Sequence, residues 1–132
     1  MNLETIFYNR ERLAIILRHP YEPKNQEFVS NYKDYLQLGV MNLEEGRILK
    51  PHIHKSRNEQ VPITQEALII QRGRMRVDFY YNRRKVKETI LNSGDIIVLL
   101  SGGHGFEMLK PTKLVEIKQG QYIDQNMDKE YL

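Results

Sequence analysis

Two histidines separated by a single residue, His52 and His54, have a spacing that suits metal binding. On a β-strand, residues two apart point to the same face, so both imidazoles can reach one ion. Residues 47–54 are predicted to form such a strand, entered from a turn that ends at Gly46. If that face lines the inside of a barrel, the ion is shielded from competing water ligands.

A carboxylate and a third histidine occur at positions that could complete the site. Glu66 begins an apolar run that ends at Gly73, a predicted tight turn. His104 follows a glycine turn at residues 101–103, where the backbone can bend to aim a ring inward. The predicted metal ligands are therefore His52, His54, Glu66 and His104. An octahedral ion held by these ligands would keep two positions open for water or substrate.

Composition limits both the metal and the function class. The chain has no cysteine, so disulfides and thiolate ligands are excluded, and imidazole and carboxylate ligands favour Mn, Fe, Ni, Co or Zn. The net charge of +3 is too small to indicate nucleic-acid binding. A basic cluster at residues 72–87 is interpreted as a solvated strand face, because Asp78 and Glu88 interrupt it.

Neither a signal peptide nor a membrane span is predicted. The apolar run at residues 13–17 is too short for a signal core, and no stretch approaches the roughly 20 apolar residues that cross a bilayer. We therefore expect a cytoplasmic protein.

Short apolar runs separated by turn residues predict an all-β, single-domain fold. The clearest alternation lies at residues 74–81, where Met75, Val77 and Phe79 are expected to face inward. About nine strands are predicted, at residues 13–18, 35–43, 47–54, 65–71, 74–81, 85–91, 96–100, 104–109 and 113–118. The single domain, 1–132, divides into an N-terminal strand and arm (1–34), a barrel (35–118) and a C-terminal tail (119–132). This strand spacing favours a sandwich or a closed jelly roll.

Three segments together resemble the two motifs of the cupin superfamily. They are GRILKPHIH at 46–54, EALIIQRG at 66–73 and GDIIVLLSGGHGFEML at 94–109. The resemblance implies a jelly-roll β-barrel and the same four metal ligands. Eleven residues separate His54 from Glu66, where the family usually has three or four. Glu59 is therefore the alternative carboxylate, although only Glu66 has the family's spacing to Gly73.

A closer resemblance is to WbuC-like cupin metalloproteins of polysaccharide biosynthesis clusters. The matching pieces are KPHIHK at 50–55 and VEIKQGQYIDQNMDK at 115–129. This resemblance implies a metal-binding protein that acts on, or binds, a carbohydrate or sugar-nucleotide intermediate. Isomerase or epimerase chemistry is one possibility, but no residue is assigned a catalytic or substrate-binding role.

Two other functions remain open from the sequence. One is a non-catalytic sugar-binding or regulatory module, and the other is a metal-free epimerase that uses a histidine as general base. Because cupins commonly pair through edge strands, a homodimer is expected, with the arm at residues 20–34 swapped or draped over the partner.

Overall fold

The computed structural model describes residues 2–57, 60–120 and 129–132. Within these ranges all regular structure is β, which confirms the all-β part of the predicted fold. The strands are β1 (Asn2–Tyr8), β2 (Glu11–Arg18), β3 (Gln26–Phe28), β4 (Gly39–Met41), β5 (Glu66–Arg72), β6 (Arg74–Tyr81), β7 (Arg84–Asn92), β8 (Ile96–Leu99), β9 (Gly103–Met108) and β10 (Lys113–Lys118).

The strands form three antiparallel sheets. The largest has the order β1-β2-β8-β5-β10, and the second has the order β7-β6-β9. The third is the small β3-β4 pair. Within the described part of the chain the sheets do not close into a barrel. As a result β9 and β10 are each an outer strand of their sheet.

The main core lies between the five-stranded and three-stranded sheets. On β6, Met75, Val77 and Phe79 are almost fully buried, as the alternation predicts. They pack in one cluster with Leu68 and Ile70 of β5. Because side chains alternate along a strand, the face of β5 that carries Leu68 and Ile70 also carries Glu66. The main core therefore determines which face of β5 presents its one carboxylate.

The arm at residues 20–34 and the residues after it cover the opposite face of the five-stranded sheet. A second apolar cluster there joins Ile15, Ala67 and Val98 to Leu36 and Leu38 of this segment. The arm is tied to β2 by Arg12, whose guanidinium donates two hydrogen bonds to Asp34, of 3.0 and 2.9 Å. The arm thus packs on its own chain, and it contains β3, where only a loop is predicted.

Three strand predictions differ from the structure. Of residues 35–43, predicted as one strand, only Gly39–Met41 pair as β4, whereas Leu36 and Leu38 pack on the five-stranded sheet. Residues 47–54 form no strand, and Pro51 in the middle of this run cannot donate a hydrogen bond to a neighbouring strand. The first strand, β1, is not predicted because only Ile6 of its seven residues is buried. A strand with both faces largely exposed lacks the apolar periodicity on which the prediction depends.

Candidate functional site

Two predicted ligands, Glu66 and His104, meet between the two main sheets. Glu66 is the first residue of β5, and His104 lies on β9 directly opposite the buried Phe79 of β6. Opposed residues of an antiparallel pair share a face, so His104 points toward the five-stranded sheet. Its Nε2 lies 2.7 Å from Oε1 of Glu66, a charge-assisted hydrogen-bond distance.

The start of β5 is held in place by Gln65, a buried side chain. Its Oε1 accepts a hydrogen bond from the backbone N–H of Leu36 (2.9 Å), and its own backbone N–H donates to Oε1 of Gln119 (3.0 Å). Its amide nitrogen also donates to the carbonyl of Leu100. These bonds join three chain segments around Glu66, so the carboxylate has a well-defined position.

A glycine and an aromatic ring set the position of His104. A side chain at Gly103 would lie only 2.6 Å from Leu132 and 3.2 Å from Cβ of Tyr80. Glycine therefore lets β9 approach these residues just before the histidine. On the other side, the His104 ring stacks on Phe106, with centroids 5.2 Å apart and planes inclined by 29°. The backbone of β9 at Gly103 and the ring of Phe106 thus fix the position of the imidazole.

The Glu66 carboxylate is strongly favoured in its ionised form. The hydrogen bond from His104 is the main cause that lowers its pKa from 4.5 to about 2, against the opposing effect of burial. Glu116 of β10 also hydrogen-bonds Glu66, and this contact is the main cause that raises the pKa of Glu116. Of the two carboxyls, Glu66 therefore ionises first, and Glu116 keeps its proton to a higher pH than an ordinary glutamate does.

A cavity of about 670 Å³ opens beside this pair. Glu66, His104 and Glu116 line it together with Lys118 and the ring of Phe106. Tyr80 and the C-terminal residues 129–132 complete its wall. The cavity therefore combines an anionic carboxylate, a second carboxyl, an imidazole, an ammonium group and aromatic surface, which suits binding of a polar ring and proton transfer.

His52 and His54 form a separate pair. Both are exposed, and their rings contact each other edge to face with centroids 5.3 Å apart. Nδ1 of His52 lies 2.8 Å from the carbonyl oxygen of Lys50. Across the described ranges, no group of three or more His, Asp or Glu side chains is close enough to hold one ion. The four predicted ligands are thus placed as two pairs, His52 with His54 and Glu66 with His104.

Glu59, the alternative carboxylate, lies outside the described residues. Glu107 lies three residues after His104 on β9 and therefore on the opposite face of the strand. Its carboxylate binds Arg76 at 2.8 Å on the outer face of the three-stranded sheet.

Sequence reasoning missed Glu116 and Lys118, which line the cavity. They alternate with Val115 and Ile117 on β10, and the register places Glu116 opposite Leu68 and Lys118 opposite Glu66. Polar residues at the inward positions of a strand are the signal that could have found them.

None of the described residues belongs to a helix that could cross a bilayer. No protein-family model matches the chain, and neither a curated protein nor a solved structure is significantly similar to it. The geometry of the cavity is therefore the basis of the functional conclusion.

Proposed function

We propose that this protein is a metal-binding cupin of the cytoplasm that acts on, or binds, a carbohydrate or sugar-nucleotide intermediate of surface polysaccharide biosynthesis. The ion is divalent, one of Mn, Fe, Ni, Co or Zn, and its ligands are His52, His54, Glu66 and His104. When bound, such an ion polarises a substrate oxygen and stabilises negative charge on it during isomerisation or epimerisation. The observation that carries the proposal is the contact between Glu66 and His104 in a cavity lined by polar groups.

The Glu66–His104 pair has the properties that a metal requires. Glu66 is ionised at neutral pH, so no proton competes with an ion for the carboxylate. Two neighbouring ligand atoms of an octahedral ion lie about 3 Å apart when each bond is about 2.1 Å. The 2.7 Å between Oε1 and Nε2 is close to that separation, so the two atoms could become neighbouring ligands if Nε2 carried no hydrogen and the ring turned toward the ion.

His52 and His54 would join this pair if residues 47–54 added a new outer strand at the free edge of β9, where Pro51 is tolerated when its nitrogen faces solvent. In support of this step, β9 is an outer strand and exposes Phe106 and Met108. Ile48 and Ile53 are 78% and 90% exposed, although apolar side chains gain stability by burial. Pairing would cover these side chains and close the sandwich toward a jelly roll.

The aromatic and charged lining favours a sugar derivative as the ligand. Phe106 and Tyr80 offer faces for a sugar ring, and Lys118 offers a cation for an anionic substituent. Because its pKa is raised, Glu116 is the carboxyl of the pair that is better suited to proton donation. In this function the chain's own residues bind and orient the ring, and the carboxyl pair takes part in proton transfer.

A homodimer is part of the proposal. Val115 and Ile117 of the outer strand β10 are 38% and 49% exposed on the face turned away from the cavity. A second copy could cover this surface by pairing along the strand edge.

A second candidate is metal-free proton transfer, which the carboxyl pair favours. Glu66 accepts a hydrogen bond from His104, which fixes the ring and its tautomer as the orienting acid does for a general base. The binding-only alternative predicts the same contacts without turnover.

Metal analysis of the untagged protein tests the proposal. We expect a stoichiometric divalent ion in the wild type, and its loss both in Glu66→Gln and in the His52→Ala, His54→Ala double variant. The exposed His19→Ala variant is the control and should keep the ion. Negligible metal in the wild type, or equal metal in all four proteins, would contradict the metal site.

Deuterium incorporation distinguishes the remaining alternatives. The protein is incubated in D₂O with a panel of sugar nucleotides, and exchange at carbon is followed by NMR. Exchange that needs the ion supports the proposed enzyme, whereas exchange by metal-free protein that is lost in His104→Gln supports the second candidate. Binding without exchange supports a non-catalytic module.

A further inference from the structure

Two hairpin turns of this chain have the same sequence and the same unusual backbone. Tyr8-Asn9-Arg10 joins β1 to β2, and Tyr81-Asn82-Arg83 joins β6 to β7. The φ angles are +50° and +66° in the first turn and +47° and +64° in the second. Two-residue turns with both φ angles positive usually carry glycine at the second position, because a side chain there is strained. An arginine takes that strained position twice, which indicates a use for its side chain.

The two turns lie side by side, although 72 positions separate Asn9 of the first turn from Tyr81 of the second. The rings of Tyr8 and Tyr81 are 5.3 Å apart at an angle of 57°. The side-chain amide of Asn9 donates a hydrogen bond of 3.3 Å to the Tyr81 hydroxyl. The matching turns therefore form one surface.

A cavity of about 680 Å³ lies on this surface. Its lining residues are Tyr8, Asn9, Tyr81, Asn82, Arg84 and Val86. None of them lines the cavity beside Glu66 and His104. The lining offers two phenols, two carboxamides and a guanidinium, and it includes no carboxylate.

The positive charge at this cavity is mostly uncompensated. Among the described residues, Arg84 in the wall and Arg10 at the tip of the first turn form no ion pair. Arg83 is the exception, because it contacts Glu130 at 3.4 Å and donates to the carbonyl of Tyr131. Glu11, the acid next to Arg10 in sequence, lies 3.5 Å from the Ser101 hydroxyl.

We propose that this two-turn cavity binds a phosphate monoester of a ring compound, either a sugar phosphate or a nucleoside monophosphate. Arg84 binds the phosphate, with Arg10 adding positive charge. The faces of Tyr8 and Tyr81 contact the ring. The amides of Asn9 and Asn82, which both donate and accept, bind its hydroxyl groups. The site does not depend on a metal or on the proposed function of the other cavity.

Calorimetric titration of the full chain tests the site. The probes are ribose 5-phosphate, adenosine monophosphate, adenosine and inorganic phosphate. We expect saturable binding of at least one ring phosphate, tighter than that of inorganic phosphate or adenosine. The tighter of the two ring phosphates identifies the source of the ligand.

Two variants that each lose one positive charge show where the ligand binds. Arg84→Gln should weaken it by about tenfold or more, because a charge-assisted contact is lost. Arg72→Gln removes the same charge at the end of β5, next to the start of β6, and should change affinity less than about twofold. Both residues are exposed, so both variants should fold, and thermal unfolding verifies this.

Several results would overturn the site. They are no saturable binding of either ring phosphate, equal affinity for inorganic phosphate, and equal weakening by the two arginine variants. Binding that is lost in Glu66→Gln and kept in Arg84→Gln would place the ligand in the other cavity and also reject the proposal.

Discussion

Oε1 of Glu66 and Nε2 of His104 lie 2.7 Å apart, and the two residues belong to different sheets. Glu66 begins β5 in the five-stranded sheet, whereas His104 lies on β9, an outer strand of the three-stranded sheet. The contact therefore joins the sheets at the side where neither is closed. It also places an ionised carboxylate and an imidazole at the wall of a cavity. Variants of these two residues therefore test both the stability of the fold and the function of the cavity.

Acid is expected to destabilise the fold by protonating Glu66. Its pKa is lowered from 4.5 to about 2, so its ionised form stabilises the fold above pH 4.5. This contribution is lost as the pH falls through about 2, and for a side chain that is 10% exposed it is on the order of 3 kcal/mol. Urea unfolding at pH 5.5 and at pH 2 measures the loss, which should be smaller by most of this amount in Glu66→Gln.

The control for this prediction is Glu107→Gln. Glu107 is 58% exposed and binds Arg76 on the outer face. Its replacement should therefore leave the loss of unfolding free energy between pH 5.5 and pH 2 nearly unchanged. Equal pH dependence in wild type and Glu66→Gln would show that the carboxylate does not stabilise the fold.

Glu116 should respond to pH in the opposite direction. Its pKa is raised by the hydrogen bond to Glu66, so it stabilises the fold below its ordinary pKa of 4.5, and that stability is lost as the pH rises through the raised value. Glu116→Gln keeps a hydrogen-bond donor and cannot ionise. We therefore expect the variant to gain stability relative to wild type between pH 4 and pH 7, by less than about 1 kcal/mol, because the side chain is exposed.

Carbon-13 NMR of the side-chain carboxyls measures the order of titration directly. As the pH rises from 1.5 to 8, Glu66 should ionise first and Glu116 above its ordinary range. The reverse order would mean that the charge of the pair resides on Glu116.

The arm is expected to depend on Arg12 and Asp34. Their two hydrogen bonds, of 3.0 and 2.9 Å, join the arm to β2, and Asp34 is only 10% exposed. Asp34→Ala should lower the free energy of unfolding by about 1–3 kcal/mol, because it leaves a charged guanidinium without its partner. Urea unfolding measures this change.

An exposed ion pair is the matched comparison. Glu130 is 85% exposed and contacts Arg83 at 3.4 Å, so Glu130→Ala should cost less than about 1 kcal/mol. Equal losses of unfolding free energy in Asp34→Ala and Glu130→Ala would show that the contact between Arg12 and Asp34 stabilises the fold no more than an exposed ion pair does.

A strand can be predicted from the sequence when a pattern of neighbouring residues determines it. The strand at residues 74–81 has the bounds of β6, because strict alternation of Met75, Val77 and Phe79 with polar residues determines both the strand and its buried face. The strand predicted at residues 113–118 also matches β10. In contrast, residues 47–54 contain a strand-sized apolar pattern interrupted by Pro51, and they form no strand.

The site was only partly predictable because its contacts cross between strands that are distant in sequence. Glu66 and His104 could be chosen by residue type and glycine spacing. The contribution of Glu116 depends on the pairing of β10 with β5, a register that no local pattern contains. Sequence reasoning therefore identifies residues capable of the chemistry, whereas the sheet register determines which of them share a cavity.

The most direct test of the central claim is an anomalous-scattering map of crystals of the untagged protein, with data collected on both sides of the metal absorption edge. We expect one anomalous peak within bonding distance of both Oε1 of Glu66 and Nε2 of His104, with the rings of His52 and His54 bound to the same ion. A map with no peak there, or with His52 and His54 still facing solvent while an ion is bound elsewhere, would contradict it.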